Sequence, residues 1–258
     1  MKVQIENFIK EYIAQYKPRF HTHTDWSEPT VSFSDARDPL FPKLKEIVTP
    51  EHLVPFDLLP DAKTVISYFV PFTKATVSSN SKGKNASKQW AQSYTETKQL
   101  IIDLNAALSN MLKKHGFKAA TTLPTHDFDE EKLVSCWSQK HVAYIAGLGK
   151  FGLHHMIITE KGCCGRLGSV ITNAKIEPTP REPSEFCSYK LDGSCGVCVK
   201  KCAINALKAD SLDKKGCYKE CLRNAKKCTA VGLADVCGKC VAVVPCSFVN
   251  PQGTRRKT

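Results

Sequence analysis

The sequence has no long apolar run. Its 258 residues contain no stretch that approaches the ~20 apolar residues of a membrane-spanning helix. The N-terminus also lacks the apolar core and small-residue cleavage site of a signal peptide. Its apolar residues recur at helical spacing, which predicts an amphipathic helix over residues 3–16. These absences lead us to expect a cytoplasmic protein with no membrane contact, in a compartment where thiols stay reduced.

Acidic residues are also scarce. There are 25 Asp and Glu residues against 37 Lys and Arg residues, which gives a formal net charge of +12. A positive balance favours acidic partners such as nucleic acid or an anionic redox protein. The basic residues are scattered along the chain, however, so solubility explains the charge equally well.

Cysteine, in contrast, is abundant and unevenly distributed. Ten of the 13 cysteines lie between Cys187 and Cys246, and the other three are at positions 136, 163 and 164. Residues 177–185, EPTPREPSE, contain three prolines and precede the cysteine-rich part. Because proline clusters interrupt regular structure, this segment predicts a boundary. We expect a mixed α/β domain over residues 1–180 that holds a cofactor or substrate, and a second domain over 181–258.

The first part carries signals for both strands and helices. TVISYFVPF at 64–72 predicts a buried strand, and FKAATTLP at 117–124 predicts another. Apolar residues on one face predict a long helix from about Ser87 to His115, with Gly116 ending it. The sequence therefore predicts an α+β fold for this part.

Two further elements follow in this part. Asp127 and Glu130 have the spacing of a capping box, which predicts a helix extending to about residue 139. MIIT at 156–159 and GSVIT at 168–172 flank the stretch EKGCCGRL, which predicts a hairpin with a long tip.

The tightest cysteine spacing is C-x2-C-x3-C at Cys195, Cys198 and Cys202. It matches the last three positions of the C-x2-C-x2-C-x3-C-P motif of bacterial two-cluster ferredoxins, in which the fourth cysteine ligates the other cluster. Asp192 stands at the first position of the motif, and Cys187 can supply the missing thiolate from a longer loop. Ala203 stands where the motif has proline.

Three kinds of chemistry compete for these cysteines. Disulfides are disfavoured by the odd cysteine count and the lack of a secretory signal. Zinc would need two separate sites, because the gap from Cys198 to Cys237 exceeds the ~15–20 residues of one zinc ribbon. Two [4Fe–4S] clusters need eight ligands, and we favour them in a ferredoxin-like C-terminal domain. The predicted ligands are Cys187, Cys195, Cys198 and Cys246 for the first cluster and Cys202, Cys217, Cys237 and Cys240 for the second.

One ligand of this set has a rival. Cys221 lies one helical turn from Cys217 and can replace it, and Cys228 is the other spare thiol. We favour Cys217.

Residues 137–173, WSQKHVAYIAGLGKFGLHHMIITEKGCCGRLGSVITN, followed by the cysteine-rich part, resemble the epoxyqueuosine reductase family. GLGKFG at 147–152 matches that family's glycine stretch, which precedes two [4Fe–4S] clusters. The resemblance implies a base-off cobalamin near the first cluster and a reductase that passes electrons through its clusters. Reductive dehalogenases look similar in their C-terminal half.

The sequence departs from that family in two ways. The family's catalytic aspartate lies in a VDSAP-like stretch, where this chain reads LPTHDFDEEKL at 123–133. The family also continues into a helical-repeat domain that helps to bind tRNA, whereas this chain ends twelve residues after Cys246. We therefore do not expect a tRNA partner.

Several other residues are candidates for the site. Gly147, Gly149 and Gly152 can bring the backbone close to a cofactor, although a turn between packed elements explains them equally well. Arg166 can bind an anionic group of that cofactor beside EKGCCGR. At most one of the adjacent His154 and His155 faces a given site on a strand. As proton donors for a reductase we select Asp127, His126 and Lys150.

Two functions follow from this pattern. The first is an iron–sulfur reductase that takes electrons from a redox partner protein and delivers them to a small molecule or cofactor. The second is an electron carrier or activator with no chemistry of its own. A ligand-sized pocket beside the first cluster, lined by residues 120–170, would favour the reductase.

Overall fold

The computed structural model describes residues 1–123 and 128–255, with side chains up to Gly253. Its strands are β1 Thr30–Asp35, β2 Thr64–Pro71, β3 Ala119–Thr121, β4 Gly149–Phe151, β5 Ile157–Thr159 and β6 Gly165–Thr172. Its helices are α1 Lys2–Phe20, α2 Leu40–Ile47, α3 Pro55–Leu58, α4 Lys74–Ser79, α5 Lys88–Lys114, α6 Gln139–Ile145, α7 Ser188–Asp192, α8 Val197–Lys201, α9 Lys214–Lys227 and α10 Pro251–Arg255, with a 3₁₀ turn at Thr229–Val231. Within the described ranges, no helix has the length and apolar character that crossing a membrane requires.

A four-stranded sheet in the order β1-β2-β6-β3 forms the centre of the molecule, and all neighbouring strands are antiparallel. Strand β2 pairs along its whole length with β6, so that Ile66 lies opposite Val170. All eight residues of β2 are buried, as the apolar segment 64–72 predicts. An antiparallel sheet covered by helices is an α+β architecture, which confirms that part of the predicted fold class.

Helices cover both faces of this sheet. Because successive side chains of a strand point to opposite faces, Ile66 packs with helices α1 and α5, and Val65 packs with α2 and α6. On β6, Val170 and Ile171 divide between the two faces in the same way. The sheet is thus buried on both sides and provides a fixed base for the loops that leave it.

The long helix α5 has the ends that its sequence predicts. The Ser87 side chain accepts a hydrogen bond from the backbone N–H of Trp90, which caps the N-terminus. The helix ends at Lys114, and Gly116 follows with a φ of 80°, a conformation that glycine adopts without strain. The predicted N-terminal helix is also confirmed as α1, which buries Ile5 and Ile9.

Two predicted elements are wrong. Strand β5 pairs with β4, and β6 pairs with β2 and β3, so residues 156–172 do not form a hairpin. The predicted helix up to residue 139 is also absent from the described residues 128–138, because the helix here, α6, starts at Gln139. The wrong hairpin has a physical reason, since β6 gains far more pairing and burial beside β2 than β5 offers.

The cysteine-rich part consists of short helices and loops, and it is held against the first part by hydrogen bonds. The Asn80 side chain donates to the carbonyl of Cys237 at 2.9 Å, and Lys239 Nζ donates to the Asn80 carbonyl at 2.9 Å. The backbone N–H of Ala86 donates to Asn224 Oδ1 at 2.9 Å. The segment 80–86, polar in sequence, therefore serves as a docking surface. The division into domains at residue 180 stays a prediction.

The packing of α5 on the sheet yields a stability prediction. Leu104 is fully buried between α5 and the sheet, so Leu104→Ala leaves a cavity and should lower the free energy of unfolding by about 2–5 kcal/mol. The matched control is Leu233→Ala, at a leucine that is 59% exposed, and it should change stability by less than about 0.5 kcal/mol. Urea unfolding monitored by circular dichroism measures both, and equal losses would contradict the packing described.

Candidate metal centres

Four cysteines from three parts of the chain meet at one small cavity. They are Cys187, Cys195, Cys198 and Cys246. Burial, together with the neighbouring sulfurs of Cys246, Cys187 and Cys195, raises the pKa of the Cys198 thiol to about 11. A left-handed Gly193 ends α7, which turns the chain so that Cys187 and Cys195 face the same point. This is the set of residues predicted for the first cluster.

A second group of cysteines lines a separate cavity of about 430 Å³. Burial raises the pKa of Cys240, and the Cys237, Cys217 and Cys202 sulfurs add to the effect. Helix α9 provides Cys217, while Cys237 and Cys240 flank a short loop that begins at Gly238. The structure thus brings together the residues predicted for the second cluster: Cys202, Cys217, Cys237 and Cys240.

The two groups are interleaved along the chain. Cys202 follows the loop of the first group but lies at the second cavity, and Cys246 follows the loop of the second group but lies at the first. Cys198 is near enough to affect the pKa of Cys240 across the two groups. This placement agrees with the crossed assignment of ligands, and ligation itself stays a prediction.

A histidine and a third thiol contact Cys246. His154 Nε2 lies 3.3 Å from Cys246 Sγ, and the ligand atoms of His154, Cys163 and Cys246 all lie within 4.8 Å of one another. His154 Nδ1 accepts the N–H of Met156, so in the neutral imidazole Nε2 carries the proton and donates it to sulfur. Hydrogen bonds from Cys163 and then from His154 lower the pKa of Cys246 to about 5. All three side chains are of types that bind metals, and His154 and Cys163 could also donate hydrogen bonds to a metal-bound Cys246 thiolate.

The loop EKGCCGR positions this contact. The backbone N–H of Cys163 donates to the Cys246 carbonyl at 3.0 Å, and Cys164 Sγ donates to the Val241 carbonyl at 3.1 Å. Gly162 has a φ of 82°, and a Cβ there would lie 2.3 Å from the Ser247 carbonyl oxygen. The glycine therefore allows the loop to approach the C-terminal cysteine closely.

Cys217 and Cys221 are both near the second group. A hydrogen bond from Cys221 lowers the pKa of Cys217 to about 7 although burial opposes it, and the same contact raises the pKa of Cys221. Both thiols border the second cavity. Cys228 and Cys136 are half-buried and border none of the three cavities described here.

The largest of the three cavities that these residues border, of about 1040 Å³, adjoins the second group of cysteines and is called the largest cavity below. Cys217 and Cys221 lie on its wall, together with residues of the segment 123–155. A ligand-sized pocket beside the first cluster would favour the reductase, but the cavity at the first group of cysteines has a volume of only about 20 Å³. The cavity of about 1040 Å³ lies beside the second group instead. Apolar and basic side chains dominate the rest of the lining, among them Leu123, Phe128, Phe151, Tyr218, Lys140, Lys190, Lys208 and Lys214.

The basic side chains of this cavity influence one another. Burial lowers the pKa of Lys140, and the nearby charge of Lys214 lowers it further. Lys140 Nζ donates to the His155 carbonyl at 3.2 Å. Among residues 1–123 and 128–255, none of Lys140, Lys190 and Lys214 forms a salt bridge. The wall is therefore electropositive next to the second group of thiols.

The other predicted site residues are dispersed. Gly147 and Gly149 lie against backbone carbonyls of neighbouring segments, whereas Gly152 borders the largest cavity and Arg166 the second. Lys150 Nζ lies 5.4 Å from the centroid of the Tyr144 ring and borders none of these cavities. Two predicted proton donors, His126 and Asp127, lie outside the described residues.

Sequence reasoning missed three residues that border these cavities. Trp90 and Tyr94 on α5 border the second cavity, and Lys140 borders both that cavity and the largest one. Trp90 and Tyr94 belong to no local motif, and all three residues lie more than 45 residues from the predicted ligands in sequence. Only the tertiary fold identifies them.

No protein-family model matches this chain, and no curated protein matches its sequence. The fold, in contrast, is found among solved structures. Epoxyqueuosine reductase from Bacillus subtilis is 19% identical, with a TM-score of 0.58 over 94% of this chain and 66% of that one. The enzyme from Streptococcus thermophilus is 19% identical, with a TM-score of 0.56 over 95% of this chain and 69% of that one. The chain thus spans about two thirds of the length of these relatives.

A second class of enzymes shares the fold. The catabolic reductive dehalogenase NpRdhA, in complex with 3-bromo-4-hydroxybenzoic acid, is 14% identical, with a TM-score of 0.60. The alignment covers 91% of this chain and 31% of the dehalogenase. At these identities the similarity establishes the fold alone. The predicted resemblance to epoxyqueuosine reductases is confirmed at that level.

The contact between Gly162 and Ser247 can be tested by stability. Gly162→Ala adds a methyl group that meets the Ser247 carbonyl and places alanine in the left-handed region. Gly116→Ala is the matched control, because Gly116 has a φ of 80° and nothing within 4 Å of the added Cβ. We expect the control to cost about 1–2 kcal/mol from backbone strain, and Gly162→Ala to cost more. Thermal unfolding measures both losses of stability. Equal losses would contradict the close contact between Gly162 and the Ser247 carbonyl.

His141 yields a prediction about pH. Burial, and then the charge of Lys140, lowers its pKa from 6.5 to about 4. Between these two pH values the unfolded chain binds a proton at His141 that the folded protein does not bind. The contribution of His141 to the free energy of unfolding is therefore fully present above pH 6.5, and it is lost as the pH falls towards 4. In His141→Asn the free energy of unfolding should therefore fall less steeply across that window.

Urea unfolding at a series of pH values measures this slope. The matched control is His115→Asn, at an exposed histidine far from the cavity, and it should leave the slope of the wild type unchanged. Parallel curves for His141→Asn and the wild type would contradict the buried, neutral state of His141.

Proposed function

We propose that the protein is an iron–sulfur oxidoreductase. In this proposal two [4Fe–4S] clusters carry electrons from a redox partner protein to a cofactor or substrate in the largest cavity. One observation carries the proposal: four of the predicted ligands border one small cavity, and the other four border a second cavity together with Cys163 and Cys221. The second group adjoins a cavity of about 1040 Å³. The similarity in fold to two classes of reductase supports it.

The donor chemistry fits [4Fe–4S] clusters. Each set consists of thiols alone, and four thiolates are the ligands that such clusters take. Cys187, Cys195, Cys198 and Cys246 would hold the first cluster, and Cys202, Cys217, Cys237 and Cys240 the second. The clusters would supply one-electron transfer. Four thiolates also suit zinc, so the metal content decides between these metals.

The largest cavity favours a reductase over a carrier. A carrier needs only an exposed cluster, whereas this chain forms a concave site beside the second group of cysteines. Its apolar walls would bind the flat or apolar part of a ligand, and its lysines would attract anionic groups. Lys140, whose pKa burial lowers, would be a better proton donor than a free lysine.

The same cavity is where we propose a cobalamin, the cofactor that the resemblance implies. Its size and its mixture of apolar and basic side chains suit a large ligand that is apolar in one part and anionic in another. Cobalamin would supply a cobalt centre that accepts electrons. The chain's own residues would bind and orient it, exclude water, and leave Cys217 and Cys221 on the side of the second cluster.

Metal analysis of protein purified without oxygen tests the proposal. After anaerobic reconstitution we expect about eight irons and eight sulfides per chain. Cys198→Ser and Cys240→Ser should each lower the iron content towards about four, because each removes a ligand of one cluster. Cys136→Ser is the matched control, at a cysteine outside both groups, and it should retain all the iron. We expect Cys217→Ser to lose iron and Cys221→Ser to retain it.

The same samples separate the remaining possibilities. Cobalt retained after cobalamin is offered would support the cobalamin-dependent reductase. Two clusters with no cobalt, and with no ligand bound in the cavity, would favour the electron carrier. Zinc in place of iron, in protein never exposed to oxygen, would contradict the proposed function.

A further inference from the structure

Two buried donors at the second cavity have no hydrogen-bond partner. Among the described residues, the only buried side-chain N–H groups without a partner are Trp90 Nε1 and Arg166 Nη1. Both residues border the cavity that the second group of cysteines lines. A buried donor without a partner destabilises the folded state, so such groups normally meet an acceptor.

The indole of Trp90 is fixed against the cysteine loop. Trp90 lies in the first turn of α5, directly after its Ser87 cap, and its ring packs edge-on against Phe72 with centroids 5.2 Å apart. A Cβ on Gly238 would lie 2.6 Å from Trp90 Nε1. Because Gly238 directly follows Cys237 and precedes Cys240 by two residues, the indole N–H lies at the loop that carries two predicted ligands.

The side chain of Arg166 is held in place by Tyr94 of helix α5. Its guanidinium lies over the ring of Tyr94, 4.0 Å from the centroid. The Tyr94 hydroxyl in turn donates to Asp235 Oδ1 at 3.0 Å, two residues before Cys237. Strand β6 thus supplies a cation beside the second group, and helix α5 supplies the aromatic platform that orients it.

Sulfur is the acceptor that this cavity would offer. Six thiols border the cavity, and a [4Fe–4S] cluster would add bridging sulfides to its ligand sulfurs. Hydrogen bonds to these sulfurs stabilise the reduced cluster more than the oxidised one, because reduction adds negative charge. Each donor would therefore raise the reduction potential.

We propose that Trp90 Nε1 and Arg166 Nη1 donate hydrogen bonds to sulfur atoms of the second cluster and raise its reduction potential. This inference rests on the proposed function, since it requires a cluster at this cavity. Trp90 and Arg166 would contact the cluster and change its potential, without taking part in a chemical step. Their role predicts a shift in potential at one cluster and none at the other.

The test compares two tryptophans. Trp90→Phe removes the N–H and keeps most of the ring, so the potential of the second cluster should become more negative. Trp26→Phe is the matched control, because Trp26 Nε1 already donates to Thr97 Oγ1 at 2.7 Å, and it should change neither potential. Redox titration followed by EPR measures both clusters, and the signal that Cys240→Ser removes identifies the second one.

Arg166 is tested in the same titration. Arg166→Met should also make the potential of the second cluster more negative, because it removes a donor and a positive charge. The first cluster serves as the internal reference in every variant. A potential that does not move in Trp90→Phe or in Arg166→Met overturns the assignment for that residue.

A measurement on the unaltered chain covers the case in which Trp90→Phe fails to assemble its cluster. Protein labelled with ¹⁵N-tryptophan should show a weak ¹⁵N coupling to the reduced second cluster in pulsed EPR. Absence of that coupling overturns the role of Trp90. Protein that binds no iron contradicts the proposed function itself, whereas two intact clusters with no coupling and no shift contradict this inference alone.

Discussion

Both cysteine sites depend on one interaction, the docking of the cysteine-rich part onto the loops at 80–86 and 162–164 of the first part. That part has only short helices, and no strand among its described residues pairs with the sheet. Its position is fixed where Cys163 N–H meets the Cys246 carbonyl and where Asn80 meets the Cys237 carbonyl. Without these contacts the thiols would have to be gathered from loops that bury little apolar surface, and the entropy of ordering them would oppose it.

The chemistry of the thiols adds a second constraint. Ten sulfurs lie within sixty residues, and burial raises the pKa of Cys198 and Cys240, so several thiols are protonated in the absence of metal. In the proposed function, binding iron would require thiolates, so it would release protons and couple assembly to pH. Cys246 differs from these thiols, because hydrogen bonds from Cys163 and His154 lower its pKa to about 5. Cys246 would thus be prepared to bind metal, whereas Cys198 would have to lose its proton when metal arrives.

The sequence predicts those features that depend on local spacing. Helix α5 follows from its Ser87 cap, its apolar face and Gly116, and the cysteine groups follow from two C-x2-C pairs. The partner of β6 is not local, because pairing with β2 spans about a hundred residues and is decided by burial on both faces. Trp90 lies 147 residues before Cys237 and carries no motif, so its contact with that loop appears only in the fold. Sequence reasoning therefore predicted which cysteines lie together better than it predicted the groups that surround them.

The location of the largest cavity determines the direction of electron flow in the proposed function. Cys217 and Cys221 lie on its wall, whereas the first group surrounds a separate small cavity beside α7 and α10. A ligand in the largest cavity would thus be reduced from the second cluster, and electrons from a partner would enter at the first. Donors such as Trp90 and Arg166, by raising the potential of the second cluster, would favour transfer in that direction. The same donors would lower the driving force for transfer from the second cluster to the ligand. We therefore expect a ligand whose reduction potential is above that of the second cluster.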